Sequence, residues 1–343
     1  MLQERFAALD RLQASGRPDR RAEAWMYADL SPFSTFDWLT TGKGVTEEVA
    51  SDLVRAMATP EEIEISQTPE DQKALTLSHK GVFRSDWDVS WIRLRVGRGV
   101  HLVIYESSLN LEEDRFGATL VEATLEEGAK VHWVKDQISV GQRPQIQSIR
   151  IRQAQSSSLE LVTLSMNSPR IRNNVRVELT EPDSSCDLSG LTTGSGEDWV
   201  DHHTFVDHQA PDCRSRELYK TILSDKAKAG FTGRIRVERN AQKTDSRQMN
   251  RSLLLGRNAE ANSRPQLEIF ADDVKCSHGA TVGRLNPDEV FYLQSRGIDE
   301  KEAVRMLSLG FGREILFRVP ETLVKARLSD RFEEAMGLLG VQE

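Results

Sequence analysis

The hydrophobic positions of this chain change period twice. Val45, Val49, Leu53 and Met57 recur every four residues behind Thr46, an N-cap type of residue, with Glu47 and Glu48 in the first turn, and this spacing predicts a helix. Thr59-Pro60 and the acidic stretch EEIEISQTPEDQ (61–72) then break the helical period. Beyond it the pattern alternates: Ile92, Leu94 and Val96 against Trp91, Arg93 and Arg95, then Leu102 to Tyr105, ATLVEATL (118–125), KVHWV (130–134), QSIRIRQ (147–153), LELVTL (159–164) and RIRNNVRVEL (170–179). Between Gln72 and about Asn240 no segment has helical periodicity. Short strands with polar or Gly-containing corners predict an all-β sandwich, barrel or solenoid, and periodicity alone does not choose among them. Ser/Gln corners such as QAQSSS (153–158) and the 6% aromatic content lean toward stacked coils with small aliphatics inside. After Gly283 the helical period returns. Asn286 caps a helix with Pro287 at its first position, Asp299 and Glu302 form a D-x-x-E start, and Leu323, Ala326, Leu328 and Ala335 lie on one further helix after Pro320. The expected organisation is therefore a helical part over 1–60, a β core over 61–285 and a helical domain over 286–343.

Composition narrows the function. The 343 residues carry 45 Lys+Arg against 53 Asp+Glu, a net charge of −8, with no concentrated basic run. Neither nucleic acid nor an anionic membrane is expected as the partner. The first residues, MLQERFAALDRLQ, scatter charges through their apolar positions, and no uncharged 18-residue run occurs, so a cytoplasmic protein is expected. Three widely spaced cysteines, Cys186, Cys213 and Cys276, give neither a disulfide framework nor a self-contained zinc site.

The densest chemistry lies in PQLEIFADDVKCSHGATVG (265–283), where β pattern gives way to helix. If Val274 to His278 is extended, Cys276 and His278 project from one face. A thiol beside an imidazole is a soft metal-binding pair and equally an activated thiol; it is also the pattern of a packed cysteine next to a hydrogen-bonded histidine. Asp272 and Asp273 would point to opposite faces of a strand, which favours a turn role for at least one of them. In DHHTFVDH (201–208), His202, His203 and His208 fit no metal-binding spacing and read as strand-edge or loop histidines. Gly190, Gly194, Gly196, Gly230 and Gly233 form no phosphate-binding signature and read as β corners.

The stretches ELYKTILSDKAKAGFTGRIRVERNAQKTDSRQMNRSLLL (217–255), SRPQLEIFADDVKCSHGATVG (263–283) and EVFYLQSRGIDEKEAVRML (289–307) resemble, in this order, the core of the SufB/SufD family of iron–sulfur cluster assembly proteins. The KCSHGATVG form of the motif is that of the SufD branch. GRPDRRAEAWMYADLSPF (16–33) resembles the SufD opening, with its Trp-x-Tyr-x-Asp motif at Trp25, Tyr27 and Asp29. The resemblance implies a right-handed parallel β-helix flanked by N- and C-terminal α-helical parts. It implies a non-catalytic scaffold subunit that pairs with a SufB-like paralogue and docks a SufC ATPase through its C-terminal helices. It also implies that His278, with Cys276 as a supporting thiol, lies at that interface as a ligand of a nascent iron–sulfur cluster. Apolar positions available for the ATPase are Met306, Leu307 and Phe311, beside Leu309, Ile315 and Leu316. Competing readings are a homodimeric SufB/SufD-like scaffold and a thiol enzyme in which Asp272 and Asp273 orient Cys276 and His278. Cluster type, iron donor and flavin binding are left unspecified.

Overall fold

A computed structural model of the chain describes residues 51, 54–55, 58–69, 74–79, 82–84, 87–107, 116–137, 145–166, 170–320 and 323–339. Ser51, Val54 and Arg55 are helical. The rest of the expected N-terminal helix, and Trp25, Tyr27 and Asp29, lie outside the described residues.

Seventeen strands follow among the described residues: β1 (Glu61–Ile65), β2 (Leu75–Ser78), β3 (Val82–Arg84), β4 (Trp87–Val96), β5 (His101–Ser107), β6 (Phe116–Leu125), β7 (Lys130–Gln137), β8 (Gln145–Gln153), β9 (Ser158–Met166), β10 (Arg170–Leu179), β11 (Ser185–Gly194), β12 (Trp199–His208), β13 (Arg214–Leu223), β14 (Lys228–Val237), β15 (Asp245–Leu254), β16 (Glu260–Ile269) and β17 (Lys275–Gly283). One sheet has the order β1-β4-β6-β8-β10-β12-β14-β16, with β3 antiparallel on β4; the other runs β17-β15-β13-β11-β9-β7-β5-β2. Parallel neighbours need a crossover, and here each crossover is a strand of the opposite sheet. The chain therefore coils as a parallel β-solenoid of about seven turns. This decides among the three β architectures that the sequence pattern allowed.

The coil turns through residues in the left-handed region. Gly99, Gly128, Ser156, Asp183, Asp212 and Lys243 all have positive φ, between 55° and 69°. Their amides bond to the next turn: Gly99 to the carbonyl of Glu127 (2.9 Å), Gly128 to Gln155 (2.9 Å), Ser156 to Pro182 (3.1 Å) and Asp212 to Gln242 (2.9 Å). Corner amides that would otherwise be orphaned thus join the axial ladder.

Register stacks like positions along the axis. Ala123, Ile151, Val177, Val206, Ile235 and Leu267 are successive partners in the first sheet and pack inside the coil. Each fully buried aliphatic contributes about 1.5–3 kcal/mol. The interior is not confined to small aliphatics as the composition suggested: Trp133, Tyr219 and Phe231 belong to the same cluster.

Three helices succeed the coil: α1 (Pro287–Gln294), α2 (Glu300–Leu316) and α3 (Leu323–Leu338). The Asn286 side chain accepts the Asp288 amide at 3.0 Å and Asp299 accepts that of Glu302 at 3.1 Å, which are the expected N-caps. Leu309, Ile315, Leu316, Leu328, Phe332 and Met336 pack against Val134, Val162, Leu191 and Leu218 on the outer face of the second sheet. Among the described residues no helix is long and apolar enough to cross a membrane.

Candidate functional site

The solenoid ends on two open strands. Among the described residues β16 pairs only with β14 and β17 only with β15, so within them each presents a row of unpaired backbone groups. Proteins usually blunt such edges with charge or a cover. Here Ile269, Phe270 and Val282 are 40%, 51% and 47% exposed around them.

Cys276 and His278 both sit on β17, and strand alternation puts them on the face that continues the coil interior. Cys276 is the register partner of Ser246 and packs partly against the interior cluster; burial pushes its thiol pKa up. His278 is the partner of Gln248 and is exposed. The structure therefore brings together the two residues singled out from the sequence, one half-sheltered and one open to a partner. Asp272 and Asp273 fall in the bend between β16 and β17, not on a strand. The Asp273 amide is held by Gln242 Oε1 at 2.9 Å and its carbonyl accepts from Lys243, a turn role. Among the described residues, no three His, Cys, Asp or Glu side chains converge as a metal site.

Two sequence readings are corrected. His202, His203 and His208 are neither on an edge nor in a loop: β12 is a central strand between β10 and β14. His202 faces inward, its Nε2 2.9 Å from Thr192 Oγ1, and burial lowers its pKa to about 4. His208 is likewise held at about 4 by burial, bonded to Ser215 Oγ at 2.9 Å. His203 faces outward, 3.1 Å from Asp201, which also binds Arg172 at 2.9 Å. Burial would raise the Asp201 pKa, but His203 and the Arg172 guanidinium hold it at about 2. Likewise Gly190, Gly194, Gly230 and Gly233 lie within β11 and β14; only Gly196 is at a corner. A Cβ at Gly233 would stand 2.2 Å from Gln248 Nε2, so this glycine makes room for a neighbour's side chain rather than for a turn.

The sequence reading missed what lies behind β17. The inward column Ile104, Trp133, Leu161, Leu188 continues as Glu217, Gln248 and His278. The adjoining column Leu102, Val131, Leu159, Cys186 continues as Ser215, Ser246 and Cys276. Both turn polar over the last turns. The signal was present as polar residues in the inward phase of β13 and β15, but it is visible only once the turns are aligned.

The match to the family model described as SUF system FeS cluster assembly, SufBD core domain, spans residues 86–311, from β4 to the middle of α2. The chain belongs to the SufBD family. It is 43% identical over 145 residues to the iron–sulfur cluster assembly protein SufD of Escherichia coli, covering 42% of this chain and 34% of that protein. It is 33% identical over 217 residues to a SufBD family protein of Synechocystis, covering 63% and 48%. Protein ABCI7, chloroplastic, of Arabidopsis thaliana is 35% identical over 233 residues, covering 67% and 49%. The chain thus spans about half or less of the length of these relatives. The family match includes β17, with Cys276 and His278, and the part of α2 that carries Met306, Leu307 and Phe311.

Proposed function

We propose that this SufBD-family chain is a non-catalytic scaffold subunit for iron–sulfur cluster assembly. In this reading its end turn pairs with a SufB-like paralogue, and His278, with Cys276 in support, supplies ligands to a nascent cluster shared across that interface. The observation that carries the reading is the placement of Cys276 and His278 on one face of an open edge strand flanked by exposed Ile269, Phe270 and Val282. Thiolate and imidazole suit iron, and two donors are too few for a four-ligand cluster, so the remaining ligands come from the other chain. The cluster is cargo to be assembled and released. The Asp272-Asp273 pair that would orient a thiol enzyme falls in the bend before β17 and not on its strand, and burial pushes the Cys276 thiol up and away from the thiolate such an enzyme needs.

The proposal includes a division into a helical part over 1–60, a β-helix core over 61–285 and a helical domain over 286–343 that docks a SufC-type ATPase. Met306 is 43% exposed on a helix whose opposite face is buried; Leu307 is half-buried, and Phe311 is half-buried against Lys220, whose Nζ lies 4.4 Å from its ring centre. The test is coexpression with SufB- and SufC-type partners, copurification, and anaerobic iron and sulfide analysis of the native assembly, Cys276→Ala and His278→Ala. A strong loss of loading in His278→Ala and a smaller one in Cys276→Ala are expected. Unchanged loading in His278→Ala removes the ligand assignment, and recovery of the chain only with itself replaces the heterodimer with a homodimer.

A further inference from the structure

The polar end of the inward column contains atoms that no neighbour satisfies. Glu217 is 3% exposed and Gln248 is 1% exposed. Thr204 Oγ1 donates to Glu217 Oε2 at 2.6 Å, whereas Glu217 Oε1 and both amide atoms of Gln248 have no hydrogen-bond partner among the described residues. Four turns of the same column fill this position with Ile104, Trp133, Leu161 and Leu188 at no such cost. A buried polar atom left unpaired forfeits its hydration without return. The change to carboxylate and amide occurs only in the two turns beneath His278. Gly233 reinforces it, because any Cβ there would collide with the Gln248 amide.

Side chains on one face of paired strands stand about 4.8 Å apart. The Gln248 amide therefore lies within one side-chain rotation of the His278 ring and of the Glu217 carboxylate. An imidazole that binds metal through one nitrogen donates the N–H of the other to an acceptor, which fixes its tautomer and its angle. Gln248 Oε1 can take that proton donor while Gln248 Nε2–H donates to Glu217 Oε1. This arrangement satisfies all three orphaned atoms together.

We propose that Gln248 and Glu217 are positioning residues for His278, the imidazole N–H donating to the Gln248 carbonyl oxygen and the Gln248 amide donating to Glu217. The inference rests on the reading of His278 as a ligand. It adds the claim that the ligand is oriented from inside this chain's own coil.

The experiment uses the copurified assembly with ferrous iron and sulfide as the probe, comparing native chain, Glu217→Gln, Gln248→Leu, Gln248→Glu and His278→Ala. Apparent iron affinity, the electron paramagnetic resonance of the reduced cluster and the melting temperature are read together. Glu217→Gln is close to isosteric and replaces the charge and one of the two acceptor oxygens with an amide NH2, so it is expected to melt no lower than native, yet to lower iron affinity about tenfold or more and to shift the resonance. Gln248→Leu should do the same, and Gln248→Glu, which keeps an acceptor for His278 but loses the donor to Glu217, should restore the affinity only in part. Native affinity and resonance in Glu217→Gln and Gln248→Leu, with loading lost in His278→Ala, would overturn this inference alone. Loss of loading that only tracks a fall in melting temperature would also overturn it. Native loading in His278→Ala would overturn the ligand assignment and this inference together.

Discussion

Arg318, just beyond the end of α2, is clamped to Asp187 on β11: its Nη1 lies 2.5 Å from Asp187 Oδ1 and 2.9 Å from Ser189 Oγ. Burial raises the Asp187 pKa, with the guanidinium opposing that rise. The pair fixes the point at which the helical segment leaves α2, and both side chains keep about a third of their surface in water. Solvent screening therefore limits the contribution to stability to about 1 kcal/mol. Arg318→Ala should lower the urea midpoint slightly and leave the slope unchanged. Hydrogen exchange should report the larger effect, with α2 and α3 opening faster while β10 to β15 stay protected; uniform loss of protection would contradict a local clamp.

Deeper in the coil, Glu106 is surrounded by donors. His79 Nε2 and Trp133 Nε1 each lie 2.9 Å from it and Lys135 Nζ lies 3.4 Å away, all in a region sealed from water. Burial acts to raise the Glu106 pKa, yet Lys135 and His79 hold it at about 2. A depressed carboxylate stabilises the fold above its unfolded pKa, and that contribution is lost as pH falls from about 4.5 toward 2. Lys135→Met removes one partner and leaves the carboxylate buried, so unfolding free energy should drop by roughly 3–5 kcal/mol at neutral pH. Denaturant titration with the circular dichroism of the β signal checks this; a drop under 1 kcal/mol would show the cluster to be solvated.

Glu217 has the opposite sign. Burial raises its pKa to about 7, against the Thr204 hydrogen bond and the nearby Gln248 amide, which pull it down. Between its ordinary value and 7 the folded state holds a proton that the unfolded state has released, so its contribution to stability falls as pH rises through that window. The difference integrates to roughly 3 kcal/mol. Inward His202 and His208, held near 4, act in the other direction, costing stability as pH falls below about 6.5. Comparison with Glu217→Gln isolates the carboxylate: the variant should gain on the native protein progressively from pH 4.5 to pH 8, and parallel curves would refute the raised value.

Gly190 faces the ring of Tyr219, and a Cβ there would stand 2.3 Å from Tyr219 Cδ1 and 2.4 Å from Cε1. That ring is 2% exposed and wedged between His202 and Phe231, with centroids at 5.3 and 4.9 Å, so it cannot give way cheaply. Gly190→Ala should cost about 1–3 kcal/mol by overpacking. Thermal melting measures it, and an unchanged midpoint would mean that the ring has room to move.

Met306 supplies the surface test of ATPase docking. It is exposed on α2, so Met306→Asp should leave the melting temperature within a degree or two while weakening copurification of a SufC-type ATPase. Native recovery of the ATPase would remove Met306 from the docking surface.

Periodicity alone was enough for the strands between Trp91 and Leu179 and for the caps of α1 and α2, because each depends on local spacing: alternation for one face, and Asn286 or Asp299 beside an amide a few residues on. Family resemblance picked out Cys276 and His278 through a contiguous motif, and alternation sufficed to place them on one face. What local pattern could not reveal was register. The coil brings Glu217, Gln248 and His278 into one column although about thirty residues separate each from the next, and inward polar residues look like ordinary alternation until the turns are superposed. The same long-range pairing moved His202 and His208 from the expected edge to a sealed interior, and assigned Gly190 and Gly233 to neighbouring side chains instead of corners. The sequence by itself determined the helix caps and many of the strands and singled out Cys276 and His278; tertiary structure decided what stands behind them, since burial and pairing between turns arise only when the turns stack.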